Sequence, residues 1–260
     1  MLKGEQRFRF RMDSTRRCPH YSLIRARTDK NLMVVCESCA NVVLICGAAG
    51  CGKTAVASEV ARALQYPLID IDACVETLVR VGSVGYGLRP GDHDSPRYKA
   101  LFREPIHEQL FAIARSQVYH AGLRGVVLDA PFTAERRTGP LKLLKWAVRQ
   151  LTCKEDLLPS EVRSPRSPTV RVIAVLVHCE ATEQERRIRQ RAKSRDSAKL
   201  EAGSDYFLSC SDTQDVLDLW PQTAEEFVLD DAMHMACRVE STATTVNDLG
   251  NAISDLCRAK

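Results

Sequence analysis

The amino-acid sequence predicts an α/β fold, a doubly wound parallel sheet of five strands. The first observation is that short apolar runs rich in β-branched residues alternate with segments of helical periodicity. The second is that these runs stay apolar throughout, which is typical of strands buried on both faces. The third is a glycine-rich connection between the first apolar run and the first helix. A chain of 260 residues can bury one core of this size.

The predicted elements follow one another along residues 41–260. Strands are expected at residues 42–46, 68–72, 125–129, 170–177 and 236–240. Helices are expected from about Lys53, after the N-cap Ser95 and Pro96, over residues 141–151, from Thr182 to Leu200, and over residues 246–256. Glycine and proline predict loops at 82–93 and 154–168, and residues 202–235 give weak signals. Ligands of such a sheet bind at the carboxyl ends of its strands.

Residues 1–40 are predicted to form a basic arm that precedes this domain. The first thirty residues hold nine Lys and Arg against three acidic side chains, which makes them +6, whereas the net charge of the whole chain is +4. Such an arm either contacts nucleic acid or another acidic surface, or is a solvated terminus with little order. The second interpretation is favoured because termini are commonly of that kind.

The composition of the chain limits the classes of protein to which it can belong. No apolar run approaches the ~20 residues needed to span a bilayer, and the start of the chain lacks the apolar stretch of a secretory signal. A cytoplasmic location is therefore expected. Of the eleven cysteines, several lie in predicted strands or helices, namely Cys46, Cys74, Cys179 and Cys237, so no disulfide framework is predicted. Cys18, His20, Cys36 and Cys39 could form a zinc set, although the spacing of the first pair is unusually tight.

The glycine-rich connection carries the strongest motif of the chain. It matches the phosphate-binding pattern G-x-x-x-x-G-K-[ST] through Gly47, Ala48, Ala49, Gly50, Cys51, Gly52, Lys53 and Thr54. In this pattern backbone N–H groups and a helix N-terminus surround phosphate oxygens. Lys53 is expected to reach the β- and γ-phosphates, and the Thr54 hydroxyl to ligate Mg²⁺. The motif thus predicts ATP and Mg²⁺ as ligands.

Asp129 ends an apolar strand, where an aspartate that organises Mg²⁺ is expected. The next residue is Ala130, whereas ATP-hydrolysing motors usually place a glutamate there to orient the attacking water. The absence of this glutamate favours phosphoryl transfer to an acceptor other than water. The sequence therefore predicts a kinase in preference to a motor.

A kinase needs a base near the acceptor hydroxyl, and two aspartates end the predicted second strand. Asp72 is the first choice for this base and Asp70 the second. Either could instead cap the helix that follows. We expect one of the two to act as a cap and Asp72 to act on the acceptor.

Positive charge over the transferring phosphoryl group is the third requirement. Arg187, Arg191 and Arg195 recur at intervals of four residues in the helix predicted after the fourth strand. A solvated basic face is the alternative. We expect Arg187 to contact the nucleotide and Arg191 or Arg195 to act in catalysis.

On the acceptor side Arg97, Tyr98 and Arg103 are candidate contacts, or else ordinary surface residues.

These features together resemble a family of compact P-loop kinases, the zeta-toxin-like proteins and AAA domains of polynucleotide-kinase type, often called AAA family ATPases. The resemblance rests on residues 47–54, 68–72, Asp94-Ser95-Pro96 with Tyr98, 127–132, and Arg187 through Arg195 to Lys199. It covers about residues 41–255. It implies a strand order of 2-3-1-4-5, ATP with Mg²⁺, an acceptor near Asp72, and lid arginines from residues 187–195. Acceptors in this family range from nucleic-acid ends to antibiotics.

The function predicted from the sequence is transfer of the γ-phosphoryl group of ATP to a hydroxyl of a small molecule or nucleotide-type acceptor. One alternative is a nucleotide-binding regulatory or toxin-like module that acts on a protein or RNA partner, which the basic arm would favour. A simple ATPase is another alternative, which Ala130 disfavours.

Overall fold

The computed structural model describes residues 39–88, 95–152, 169–191, 196, 200, 212–229, 232–241 and 246–258. Most of the predicted basic arm lies outside these residues, as do Cys18, His20 and Cys36. Cys39 and Ala40, which the sequence assigned to the arm, begin the first strand.

Strands and helices alternate along the described chain. The strands are β1 (Cys39–Cys46), β2 (Leu68–Asp70), β3 (Gly125–Asp129), β4 (Thr169–His178), β5 (Glu225–Leu229) and β6 (Ala232–Glu240). The helices are α1 (Lys53–Leu64), α2 (Ile71–Gly85), α3 (Pro96–Arg115, continued by a π-helical turn, Ser116–His120), α4 (Thr133–Arg136), α5 (Pro140–Thr152), α6 (Ala181–Arg191), α7 (Gln214–Asp218) and α8 (Val246–Arg258). The predicted cap of α3 is confirmed, because Tyr98 N donates to Ser95 Oγ at 3.1 Å.

The described strands form one mostly parallel sheet in the order β2-β3-β1-β4-β6-β5. The predicted order 2-3-1-4-5 is correct for the five parallel strands, with β6 in fifth place. The predicted strand count is wrong, because β5 adds a sixth strand that pairs antiparallel with β6. This edge strand begins with Glu225 and Glu226 and is largely exposed. It therefore lacks the apolar run that identifies a buried strand.

Both faces of the sheet are covered by helices. Along β1, Val42 and Leu44 enter the apolar cluster that includes residues of α3 and α5. Val43 and Ile45 enter a second cluster with residues of α1 and α8. All four side chains are fully buried. This two-sided burial explains why β1 is a continuous apolar run and fixes its carboxyl end, where the glycine-rich loop begins.

Two predicted segments differ from the structure. Helix α2 continues to Gly85, so Gly82 and Gly85 lie in a helix and not in a loop, while residues 89–94 lie outside the description. The predicted helix from Thr182 to Leu200 is not continuous, because α6 ends at Arg191 and Asp196 lies in a 3₁₀ turn. In the described part of the chain no helix is long and apolar enough to cross a membrane.

Candidate functional site

The glycine-rich loop joins β1 to α1 at the carboxyl edge of the sheet. Gly52 stands before the first residue of α1 in a left-handed conformation with φ of 96°, and no side chain of the described residues caps this helix end. The backbone amides at this helix end are the groups that an anion would use. Helix α6 packs against the loop, because a Cβ on Gly50 would lie 2.9 Å from Gln184 O and from Ile188 Cγ1.

Lys53 folds over the loop that precedes it. Its Nζ donates to Ala48 O at 2.8 Å, and the side chain is half-buried. The ammonium group thus stays at the loop with a single backbone acceptor among the described residues. A phosphate oxygen would offer it a charged acceptor, which forms a stronger hydrogen bond than a neutral carbonyl.

Thr54 and Asp129 meet at the centre of the site. Thr54 Oγ1 donates to Asp129 Oδ2 at 2.6 Å, which connects the start of α1 to the end of β3. Asp129 is 3% exposed. Burial raises the pKa of its carboxyl group, the charges of Asp70 and Asp72 add to the rise, and Lys53 and the hydrogen bond from Thr54 oppose it. The loop and three carboxylates therefore share one electrostatic environment.

The donor atoms at this point fit Mg²⁺. A threonine hydroxyl and a carboxylate oxygen lie side by side, and Mg²⁺ takes hard oxygen ligands. The described residues contain no group of three His, Cys, Asp or Glu side chains placed to hold a metal ion. A magnesium ion here would therefore need phosphate oxygens and water as its other ligands, as is usual beside nucleotides.

The two predicted acceptor-side aspartates have different roles. The predicted strand through Asp72 is wrong, because β2 ends at Asp70 and the chain turns into α2. Asp70 caps this helix, and its Oδ1 accepts from Asp72 N at 2.9 Å. Asp70 also pairs in register with Asp129 of β3. Asp72 lies in the first turn of α2, and its side chain is exposed beside the site.

Two of the three predicted arginines, Arg187 and Arg191, form hydrogen bonds and ion pairs within the protein. Arg187 donates from Nε to Glu183 Oε1 at 2.6 Å and from Nη1 and Nη2 to Ser241, beside the glycine-rich loop. Arg191 makes a bidentate ion pair with Asp196 at 2.7 and 2.9 Å, and Asp196 is fully buried. Arg195 lies outside the described residues. The structure therefore brings Arg187 to the loop and holds Arg191 in a local ion pair.

The three candidate acceptor contacts also separate. Arg97 is exposed. Tyr98 is 8% exposed and packs on Phe102 with ring centroids 5.3 Å apart, in an apolar cluster between α2 and α3. Arg103 donates from Nη2 to both carboxylate oxygens of Glu135 at 2.7 Å. The structure thus buries Tyr98 between the two helices and holds Arg103 in an ion pair with Glu135.

Sequence reasoning missed one buried ion pair next to the site. Arg136, the last residue of α4, is 1% exposed and donates from Nε to Asp212 Oδ1 at 2.9 Å. Its Nη1 also donates to Pro131 O at 3.0 Å, two residues after Asp129. Trp220 Nε1 donates to Arg136 O at 3.0 Å. The pair holds the turn that follows β3, and no local sequence signal distinguishes Arg136 from its exposed neighbour Arg137.

The chain is similar to a protein-family model and to several solved structures. A family model described as an AAA domain matches residues 42–207. No curated protein sequence matches the chain significantly. Among solved structures, the chain is similar to a presumed kinase from Chloroflexus aurantiacus (16% identity, 85% of this chain and 97% of that one, TM-score 0.49). It is also similar to a gluconokinase from Sinorhizobium meliloti (12% identity, 84% and 94%, TM-score 0.40) and a shikimate kinase from Aquifex aeolicus (12% identity, 84% and 96%, TM-score 0.38).

No residue role is transferred from these structures, because the identities are low. The family match alone covers more than half of the 260 residues, and it includes the glycine-rich loop, both acceptor-side aspartates and Asp129. The chain therefore belongs to the AAA domain family, within its P-loop kinase-like group.

Proposed function

We propose that the protein is an ATP-dependent phosphotransferase that moves the γ-phosphoryl group of ATP to a hydroxyl of a small molecule or nucleotide-type acceptor. The observation that carries this proposal is the hydrogen bond from Thr54 to Asp129, 2.6 Å long, directly after Lys53 of the phosphate-binding loop. A hydroxyl and a carboxylate that lie side by side are the groups with which a nucleotide-bound Mg²⁺ would be held, and this supports the proposal.

The donor half of the site consists of residues 47–54 and Asp129. The loop amides and the N-terminus of α1 bind the phosphates, and Lys53 exchanges Ala48 O for phosphate oxygens. Thr54 and Asp129 would hold Mg²⁺, which would supply positive charge against the phosphates.

The acceptor half lies beside Asp72. Its carboxylate is exposed at the start of α2, and its charge acts on Asp129. Asp72 accepts the proton of the acceptor hydroxyl during transfer. Asp70 fixes the first turn of α2 through its cap and so sets the position of Asp72. Phosphoryl transfer is favoured over hydrolysis because the residue after Asp129 is alanine, which cannot orient a water molecule.

Charge stabilisation and acceptor binding are assigned to basic residues around this point. Arg187, Arg191 and Arg195 are the proposed source of positive charge near the transferring group. Arg97 and Arg103 are the proposed acceptor contacts, and Tyr98 packs behind them. A cytoplasmic location, where ATP is plentiful, belongs to the same proposal.

An acceptor screen that measures ADP formation tests this function. Purified protein is incubated with ATP and Mg²⁺ and with one hydroxyl-bearing compound at a time, including sugars, nucleosides and amino alcohols. Lys53→Ala is the blank, and Lys142→Ala, which removes an exposed lysine of α5, is the matched control. We expect at least one acceptor to raise ADP formation in the wild type and in the control, and not in Lys53→Ala. ADP formation that no acceptor changes would contradict the proposal.

A further inference from the structure

A buried serine at the end of the last parallel strand touches the phosphate-binding loop. Ser241 directly follows β6 and is 1% exposed. Its backbone N donates to His178 O at 2.9 Å, which fixes it to the end of β4. Its Oγ donates to Cys51 O, the carbonyl that precedes Gly52 in the loop. A hydroxyl that belongs to no motif thus holds one peptide group of the loop.

Arg187 determines which way the Ser241 hydroxyl points. Arg187 Nη1 donates to Ser241 Oγ at 2.8 Å, and Nη2 donates to Ser241 O at 2.7 Å. A hydroxyl carries one hydrogen, so an Oγ that accepts from Arg187 directs that hydrogen to Cys51 O. Glu183 holds the guanidinium from its other side at 2.6 Å. The result is a hydrogen-bonded chain from Glu183 through Arg187 and Ser241 to Cys51.

The orientation of this peptide matters because the peptide group is planar and trans. In such a group the C=O of one residue and the N–H of the next point in opposite directions. Because Ser241 holds Cys51 C=O on its own side, the Gly52 N–H of the same peptide points away from Ser241. The approach is close, since a Cβ on Gly52 would lie 2.8 Å from Ser241 Oγ and 3.0 Å from Arg187 Nη1.

We propose that Ser241 is a positioning residue for the phosphate-binding loop, which aims the Gly52 N–H at a polyphosphate anion. Arg187 acts through Ser241, in addition to any contact of its own with a nucleotide. This inference rests on the proposed function only in that the loop binds a polyphosphate. It assigns to the end of β6 a role in phosphate affinity.

The test is equilibrium binding by calorimetry, with the full chain and two probes: ATP and inorganic tripolyphosphate. Tripolyphosphate lacks the nucleoside, so it reports on the loop alone. Ser241→Ala removes the hydrogen bond to Cys51 O. The loss of one hydrogen bond should raise the Kd for both probes by about three- to tenfold. Ser254→Ala is the matched control, because Ser254 is also 1% exposed and donates to a carbonyl, Gly250 O at 2.7 Å, but in α8. It should leave both Kd values unchanged.

A second variant keeps the test decisive if Ser241→Ala folds poorly. Arg187→Met removes the guanidinium from a partly exposed position of α6 and should weaken tripolyphosphate binding in the same direction. Where Ser241→Ala is folded, the double variant should lose less affinity than the product of the two single losses, because both act through one hydroxyl. Losses that multiply would overturn the proposed chain.

The remaining outcomes are also informative. Unchanged tripolyphosphate affinity in Ser241→Ala, with or without a loss of ATP affinity, would overturn the role in the loop. A wild-type protein that binds neither probe would overturn the proposed function itself, and the inference with it. Tight binding of both probes to a wild type that finds no acceptor would leave the inference standing and reject only the kinase.

Discussion

Replacing His107 by phenylalanine should remove a large part of the acid sensitivity of the fold. His107 lies on α3 and is 8% exposed. Its ring centroid is 5.5 Å from those of Phe132 and Trp146. Burial lowers the pKa of this imidazole to about 4, with a smaller contribution from Arg103 in the same direction and an opposing one from Glu135. A phenylalanine ring suits the same aromatic surroundings and does not titrate.

The sign and size of the effect follow from linkage. In the unfolded chain a histidine has a pKa of about 6.5, so the unfolded state binds a proton at pH values where the folded state does not. Above the unfolded-state pKa of about 6.5, His107 is neutral in both states and does not lower the free energy of unfolding. As the pH falls from there towards the folded-state pKa of about 4, the unfolded state binds the proton first, and the free energy of unfolding decreases. Between pH 7 and pH 5 this difference removes about 2 kcal/mol from the free energy of unfolding.

Urea unfolding at pH 7 and pH 5 measures this quantity in the wild type and in His107→Phe. The free energy of unfolding of the wild type should fall by about 2 kcal/mol more than that of the variant over this interval. His120→Gln, which removes an exposed histidine from the turn after α3, controls for the loss of a histidine as such. Equal pH dependence in the wild type and in His107→Phe would refute the reasoning, because it would mean that His107 titrates alike in both states.

Three further substitutions separate chemistry from stability. Asp72→Asn should lower kcat by about 10²- to 10⁴-fold and leave the Kd for ATP unchanged, if Asp72 is the base; normal turnover would exclude that role. Asp129→Asn should raise Tm at neutral pH. Burial raises the folded-state pKa of Asp129, so its ionised carboxylate destabilises the fold at a pH above that pKa, and the neutral amide does not. The same variant should lose the Mg²⁺-dependent part of its affinity for ATP. Arg136→Met should cost about 3–5 kcal/mol in urea unfolding by leaving Asp212 buried without its ion-pair partner, whereas Arg149→Met, at an exposed position of α5, should cost under about 0.5 kcal/mol.

The elements with local signals were predictable from the sequence. The strands β1, β3 and β4 are largely apolar runs because both of their faces are buried, and the glycine-rich loop is recognisable because its residues match a phosphate-binding pattern. The cap by Asp70 was also foreseen as an alternative, since aspartate is a preferred N-cap residue. What the pattern could not decide was where β2 ends. Two aspartates at alternate positions suit both a strand end and a helix start.

The parts that depend on distant partners could not be predicted. Arg136 is buried only because Asp212, 76 residues later, neutralises it. Ser241 lies 190 residues from the carbonyl that it holds. The edge strand β5 is stabilised by pairing with β6 and not by an apolar run of its own. Such contacts exist only in the folded chain. The phosphate-binding loop was therefore predictable as a motif, whereas the distant residues that hold it and its neighbouring turn in place were not.

The central claim is that the phosphoryl group of ATP passes to an acceptor hydroxyl and not to water. The most direct measurement follows the label from γ-labelled ATP with the best compound of the acceptor screen, in the wild type and in Lys53→Ala. The proposed function predicts labelled acceptor in an amount that matches the ADP formed in the wild type, and none in the variant. Label recovered only as inorganic phosphate, at a rate that the acceptor does not change, would contradict it.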